Sequence, residues 1–253
     1  MTRPRSRWFA CYQPRPDSRL KLFCLPSAGA SAYAYRDWCD WLPTDVELHS
    51  AQYPGRGPRI AEDAIEDMAR LVEALCDAIA PLVDRPFAIH GHSVGALVAY
   101  ELALELARRG LPPTRLFASA CEPPDAGVRY RPLHLLDDDT LVEELRTLQG
   151  TSDDLLDHPS MREVLLPPLR TDFSLGHTFR PSAPSVDCDL TVYGGRADAL
   201  VRWQALGRWA QFTTARYDDE VFDGDHWFPN EDGPFRATFS RHLRRCWQPN
   251  ATW

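Results

Sequence analysis

The stretch FAIHGHSVGALVAYELALE, residues 87–105, joins two different patterns at a single serine. The apolar run before it predicts a strand, and the long stretch after it, which ends at Gly110 and two prolines, predicts a helix. Ser93 stands at the junction, between Gly91 and Gly95. A serine in this setting is typical of a nucleophile elbow, a sharp turn that lifts the hydroxyl above the end of a sheet. It also suits an ordinary helix cap, so the rest of the chain has to decide.

Strand-like and helical patterns alternate on both sides of this junction. Strand-like runs cover 20–26, 46–57, 86–92, 115–121, 188–195 and 215–224, and helical patterns cover 60–83, 94–110 and 231–247. The alternation predicts an α/β fold with a mostly parallel sheet flanked by helices. The stretch 122–185 breaks it, because its patterns are helical with no convincing strand between them. We therefore predict a single domain over 1–253 with a helical insertion at 122–185.

Composition excludes several classes of protein. The chain has 253 residues with 44% hydrophobic and 25% charged residues, which fits one large domain with a full core. The net charge of −8 argues against a general nucleic-acid binder. No apolar run approaches the length of about 20 residues that a membrane helix needs. The basic segment 1–19 lacks the apolar stretch of a signal peptide, and we interpret it as a mobile arm.

The cysteines indicate a compartment. There are seven, scattered along the chain with no Cys-x-x-Cys pair. This pattern predicts reduced thiols, a cytoplasmic protein and no zinc site.

A nucleophilic serine requires a base, and His226 is the best candidate. It lies in the short polar turn DGDHWF, residues 223–228, between the last strand pattern and the closing helix. This position agrees with the order Ser, then Asp or Glu, then His along the chain. His177 lies on a helical pattern inside the insertion and is predicted to be structural. His92 is also predicted to be structural, because adjacent residues of a strand point to opposite faces.

The acid has more than one candidate. Asp198 follows the strand-like run that ends at Gly195, and a carboxylate there suits the orientation of His226. Glu122 and Asp125, after the earlier strand pattern, stay open as alternatives.

Two backbone N–H groups are needed to bind an oxyanion. The residue after the nucleophile, Val94, is the first expected donor. The second is expected in the loop PSAGAS, residues 26–31, whose small residues let an amide approach a substrate closely. Ala28 is the best candidate within that loop.

Six segments in this order resemble one known family: LPSAGASAYAYRDW, QYPGRG, GHSVGALVAYELA, LPPLRTDFSL, GGRADALV and GDHWF. Together they are similar to the type II thioesterases of polyketide and nonribosomal peptide synthesis, over about residues 20–245. The resemblance implies an α/β-hydrolase fold in which the insertion is a mobile lid. It implies a stand-alone enzyme that hydrolyses stalled or aberrant acyl groups from the phosphopantetheine arm of acyl or peptidyl carrier proteins. We expect this enzyme to be a cytoplasmic monomer.

The resemblance also implies roles for residues. Ser93, Asp198 and His226 would form the triad, with the amides of Ala28 and Val94 as the oxyanion hole, and no cofactor or metal would be required. The chain departs from the family's usual pattern in the first loop and in SACEPPDAG, residues 119–127. These departures bear on substrate fit more than on the chemistry.

Two other functions stay open. One is a carboxylesterase or another acyltransferase on the same scaffold, and the other is a non-catalytic protein that only binds carrier domains. Carrier proteins are usually acidic and this chain is acidic too, so overall charge would not steer their encounter. We expect weak docking on a local arginine-bearing or apolar patch near the lid.

Overall fold

The computed structural model describes residues 6–126 and 131–247. The first five residues of the predicted arm, residues 127–130 of the predicted insertion, and residues 248–253 lie outside this part of the chain. The strands are β1 (Phe9–Ala10), β2 (Leu20–Leu25), β3 (Val46–Ala51), β4 (Phe87–His92), β5 (Arg115–Ser119), β6 (Asp189–Gly195) and β7 (Tyr217–Phe222). The α-helices are α1 (Trp38–Trp41), α2 (Met68–Ile79), α3 (Val94–Arg108), α4 (Asp138–Leu148), α5 (Asp153–Asp157), α6 (Pro159–Thr178) and α7 (Pro234–Arg245).

Within the described residues the strands form one sheet in the order β1-β3-β2-β4-β5-β6-β7. Every neighbouring pair is parallel except β1 and β3. The mostly parallel sheet flanked by helices that the sequence predicts is therefore confirmed. In such a sheet the carboxyl ends of the strands share one edge, and binding sites form in the loops beyond that edge.

Helices cover both faces of the sheet. On one face α2 and α3 pack through residues such as Leu75 and Leu102, both fully buried. On the other face Trp38 of α1 packs with Phe235 and Phe239 of α7. The central strands are buried on both faces, which explains why their sequences read as nearly continuous apolar runs. In the described part of the chain, no helix combines the length and apolar character needed to cross a membrane.

Helix α2 begins later than the periodicity predicts. The pattern covers 60–83, but the helix covers Met68–Ile79 and is followed by a 3₁₀ turn at Ala80–Leu82. Asp67 caps it by accepting the N–H of Arg70 at 2.8 Å. The residues before the cap are held in a loop, where the Arg59 guanidinium pairs with Glu62 at 2.7 Å.

The prediction of a mobile N-terminal arm is wrong for its described part. Strand β1 pairs antiparallel with β3, with Phe9 opposite Ala51. Further along, the Arg15 guanidinium donates hydrogen bonds to four backbone carbonyls of the segment 39–46, at 2.6 to 3.2 Å. A basic segment without an apolar run is thus fixed by backbone pairing and by one arginine.

The helices of the insertion have a small core of their own. Side chains of α4, α5 and α6 form a buried apolar cluster that includes Leu141, Leu156 and Leu166. The end of α6 belongs instead to the main core, where Leu175 is buried. The insertion is therefore anchored to the domain through α6, and its movement as a lid stays a prediction.

His90 gives a prediction about the pH dependence of stability. It lies on β4, fully buried, with Nε2 2.9 Å from Ser119 Oγ, and burial lowers its pKa from 6.5 to about 3. Between these values the unfolded chain binds a proton that the folded protein does not. The contribution of neutral His90 to the free energy of unfolding is therefore complete above pH 6.5 and is lost as the pH falls toward 3.

We expect His90→Gln to flatten this dependence by about 1.4 kcal/mol per pH unit between pH 6 and 4.5. Urea unfolding of both proteins across that range measures the two slopes. Equal slopes would show that His90 does not remain neutral in the folded protein.

Candidate active site

Ser93 lies on a strained turn between β4 and α3. Its backbone has φ 56° and ψ −127°, which a residue other than glycine rarely adopts. The Ser93 N–H donates to the Ser119 carbonyl at 2.8 Å and so holds the turn against β5. Within the described residues the Ser93 side chain makes no capping hydrogen bond to α3. This geometry favours the nucleophile elbow over the helix cap.

The flanking glycines make the turn possible. A Cβ on Gly91 would lie 2.1 Å from the carbonyl oxygen of Gly95, and a Cβ on Gly95 would lie 2.4 Å from that of Leu25. No side chain fits at either distance. The spacing Gly-x-Ser-x-Gly thus reflects direct contact between the backbones of β4, α3 and the end of β2.

Asp198 and His226 form a buried pair at the ends of neighbouring strands. His226 Nδ1 lies 2.8 Å from Asp198 Oδ2. The other carboxylate oxygen of Asp198 accepts the N–H groups of Leu200 and Val201 at 2.8 and 3.0 Å. The carboxylate is therefore fixed by its own loop, and its remaining oxygen orients the imidazole.

The loops that carry these two residues touch each other. A Cβ on Gly195, the last residue of β6, would lie 2.3 Å from the carbonyl oxygen of Asp225. The glycine thus lets the His226 turn approach the loop of Asp198. The sequence predicted a glycine turn after β6 but not its contact with the backbone of Asp225.

The alternative acids have other partners. Glu122 pairs with Arg202 at 3.2 Å and Asp125 pairs with Arg208 at 2.6 Å. Asp198 is the carboxylate that is hydrogen-bonded to His226, as its position after the strand that ends at Gly195 predicts.

Ser93 and His226 line the same cavity, which has a volume of about 470 Å³. Its walls are largely apolar and include Leu97 of α3 and Phe173 of α6. Helix α4 of the insertion contributes further residues at its C-terminal end, such as Leu148. The cavity therefore offers apolar space for an acyl chain beside the candidate nucleophile, and the insertion forms part of its wall.

The two candidate oxyanion donors belong to α3 and to the loop after β2, two elements that meet at Gly95. Val94 is the first residue of α3, where helical N–H groups have no partner within the helix. Ala28 follows β2 in the loop that begins directly after Leu25, the residue whose carbonyl abuts Gly95. The approach at Gly95 thus brings the loop of Ala28 close to the N-terminus of α3.

His92 lies closer to the site than the sequence indicates. Its ring centroid is 5.1 Å from that of His226 and 5.5 Å from that of Trp227. Burial lowers the pKa of His92 well below its usual range, and the neighbouring His226 lowers it further. His92 is therefore a neutral neighbour of the base.

Trp227 is a residue that sequence reasoning missed. Its indole N–H donates to the Leu148 carbonyl at the end of α4, at 3.3 Å. It lines the first cavity and also a second one of about 560 Å³, together with Ala28 and His92. Trp227, the residue next to the base, thus contacts the insertion. In the sequence, only its position beside His226 indicated that it belongs to the site.

One cluster could hold a metal ion in the described part of the chain. Ligand atoms of Cys11, Glu47 and His49 lie within 4.8 Å of one another. Glu47 Oε1 and His49 Nε2 already form a pair at 2.9 Å. The cluster belongs to β3 and the segment after β1, not to the elements that carry Ser93, Asp198 and His226.

A sequence profile of the thioesterase domain matches residues 20–245. The chain belongs to the thioesterase family. This thioesterase is 35% identical over 226 residues to the gramicidin S biosynthesis protein GrsT of Aneurinibacillus migulanus, covering 88% of each chain. As a member of the family it is a hydrolase that acts on acyl thioesters.

Solved structures agree with this thioesterase fold. The type II thioesterase BorB from the borrelidin biosynthetic cluster matches with a TM-score of 0.86 and 31% identity, over 96% of this chain and 100% of that one. RedJ, a thioesterase from the prodiginine pathway of Streptomyces coelicolor, matches with a TM-score of 0.82 and 33% identity over 92% of each chain. The resemblance to type II thioesterases and the α/β-hydrolase fold are confirmed.

The contact at Gly95 can be tested by Gly95→Ala. The added methyl group would collide with the backbone of Leu25 and Pro26, so we expect the free energy of unfolding to fall by about 2–3 kcal/mol and the activity to fall with it. Urea unfolding and thioester hydrolysis measure the two effects. The matched control is Gly207→Ala, where a Cβ meets nothing within 4 Å and we expect little change. Equal stabilities of the two variants would contradict the argument.

The acid can be identified by Asp198→Asn. An amide at this position is neutral and no longer stabilises the imidazolium that forms during the reaction, so we expect kcat to fall by about 10³- to 10⁴-fold. Steady-state hydrolysis of an acyl thioester gives the value. Asp125→Asn, which breaks only an exposed pair with Arg208, should leave kcat nearly unchanged. A comparable loss for Glu122→Gln, with Asp198→Asn active, would assign the acid to Glu122.

Proposed function

We propose that this protein is a type II thioesterase that removes stalled or aberrant acyl groups from carrier proteins in polyketide or nonribosomal peptide biosynthesis. The observation that carries the proposal is that His226, held by Asp198, lines the same largely apolar cavity as the strained Ser93. The relatives support the pathway, since GrsT is named for gramicidin S biosynthesis and BorB for the borrelidin cluster. The acyl group would be presented on the phosphopantetheine arm of the carrier.

The first half of the reaction forms an acyl-enzyme. His226 accepts the proton of Ser93 as the Ser93 oxygen attacks the thioester carbonyl. Asp198 holds the imidazole through Nδ1, which leaves Nε2 to act as the base, and stabilises the resulting cation. The amides of Val94 and Ala28 stabilise the negative charge that develops on the carbonyl oxygen.

The second half releases the acyl group. The tetrahedral intermediate collapses, the C–S bond breaks, and the pantetheine thiol leaves with the proton from His226. His226 then removes a proton from the water that attacks the acyl-serine ester. The bond between the acyl carbon and Ser93 Oγ breaks, His226 returns the proton to Ser93, and the acyl group leaves as a carboxylic acid. Each of these steps uses a group of the protein itself.

The surface of the insertion bears on carrier docking. Among the described residues, most arginines of the insertion pair with acidic side chains there, as Arg146 does with Asp153 and Asp157, and Arg170 with Asp138. The exposed Arg180 instead donates to the Phe179 carbonyl. The exposed apolar side chains of the insertion include Leu135, Leu155 and Val164. We propose that carrier docking uses these apolar side chains together with Arg180.

A cytoplasmic site of action completes the proposal. Five cysteines are buried free thiols, Cys24, Cys39, Cys76, Cys121 and Cys188. Reduced thiols of this kind are usual in the cytoplasm, where carrier-protein pathways would supply the substrate.

The test is intact-mass spectrometry of acyl carrier and peptidyl carrier proteins incubated with the enzyme. We expect wild type to remove the mass of the acyl group and Ser93→Ala to leave it in place, because the variant has no nucleophile. Unchanged hydrolysis by Ser93→Ala would overturn the triad. An oxygen ester turned over faster than every carrier thioester would favour a carboxylesterase, and a wild type that binds carriers without hydrolysis would favour the non-catalytic alternative.

A further inference from the structure

A buried ion pair holds the loop that carries Ala28. Asp172 of α6 accepts the backbone N–H of Gly29 through Oδ2 at 2.8 Å. Arg56 donates to both oxygens of the same carboxylate, through Nη1 to Oδ2 and through Nη2 to Oδ1 at 2.9 Å. The Arg56 and Asp172 side chains are only 5% and 3% exposed. The residue directly after the candidate oxyanion donor is therefore bonded to a fully paired, buried carboxylate.

The loop is held at further points by the same region. Arg56 Nη1 also lies 3.4 Å from the Ala30 carbonyl oxygen. Gln52 accepts the N–H of Ala32 at 3.1 Å and donates to the Arg56 carbonyl at 2.9 Å. The segment QYPGRG thus binds the backbone that directly follows Gly29, at Ala30 and Ala32.

Helix α6 adds an apolar contact one turn before Asp172. Gly29 has φ +72°, and a Cβ there would lie 2.6 Å from Leu169 Cδ2. Residues three apart share one face of a helix, so Leu169 and Asp172 reach the same loop. Packing and hydrogen bonding together fix the peptide that joins Ala28 to Gly29.

We propose that Asp172, held by Arg56, is a positioning residue that aims the Ala28 N–H at the oxyanion. The inference rests on the proposed thioesterase function, and Asp172 acts through the backbone of Gly29 without touching the substrate. Fold stability alone does not account for the pair, because apolar residues often replace a buried ion pair without loss of stability. A displacement of about 1 Å in such a donor can cost about 100-fold in rate.

The experiment compares Asp172→Asn and Arg56→Lys with wild type on an acyl-pantetheine thioester. We expect kcat to fall about 10- to 100-fold while KM changes by less than about threefold, because the oxyanion develops only in the transition state. The inhibition constant of an alkyl trifluoromethyl ketone, which forms a tetrahedral adduct with a nucleophilic serine, should rise by a similar factor. Asp172→Glu, which keeps the charge, should recover part of the loss.

The matched control is Asp189→Asn. It breaks another largely buried pair, with Arg115 at 2.7 Å, at the opposite end of the sheet from Ser93. We expect this variant to lose stability and to keep its kcat and its affinity for the ketone. The comparison separates a positioning role from a general effect of losing a buried ion pair.

The outcomes are distinct. Wild-type kcat and ketone affinity in folded Asp172→Asn and Arg56→Lys would overturn the inference while leaving the proposed function intact. If Asp172→Asn does not fold, Arg56→Lys, which keeps a cation beside the carboxylate, decides by the same two measurements. A wild type that hydrolyses no acyl thioester at all would overturn the proposed function instead.

Discussion

The close approach of three backbone segments at Gly95 is the constraint on which the site depends. The turn at Ser93 is strained, and it persists because β4, α3 and the end of β2 are packed too closely for a side chain between them. The same contact sets where the loop after Leu25 leaves the sheet, and so where Ala28 lies relative to the first turn of α3. One backbone contact thus sets the positions of the candidate nucleophile and of both candidate oxyanion donors. The loops after β6 and β7 then bring Asp198 and His226 to the same end of the sheet.

Much of this arrangement could be predicted from the sequence, because it depends on local patterns. Strands buried on both faces read as apolar runs, the helices between them show their own periodicity, and glycine spacing marks the elbow. What could not be predicted depends on contacts between distant residues. The hydrogen bond between Arg56 and Asp172 joins residues 116 positions apart in the chain. No local sequence pattern around either residue indicates which residue it will pair with. A two-residue strand such as β1 is also too short to show a period.

The placement of His92 shows where a sound rule stops applying. Alternation of side chains along a strand indicates that His92 and Ser93 face opposite ways, and this suggested a purely structural role. His92 is the last residue of β4, however, and the His226 turn crosses the end of the sheet within ring contact of it. The rule concerns adjacent residues of one strand. It does not predict contacts with a loop that follows a different strand, such as the His226 turn after β7. Burial keeps this second imidazole neutral, so it adds no charge beside the base when that base becomes protonated.

The anchoring of α6 limits how the insertion can open. Moving the whole helix would separate Asp172 from Gly29 and Arg56, and so break both the buried ion pair and the hydrogen bond to the loop. It would also withdraw Leu175 from the main core. Two prolines, Pro167 and Pro168, lie inside α6 just before these anchored residues, and proline removes a helical hydrogen bond and permits a kink. If the insertion moves as a lid, as the sequence predicts, the least costly opening moves α4, α5 and the first part of α6 about these prolines, and leaves the Ala28 loop in place for the reaction.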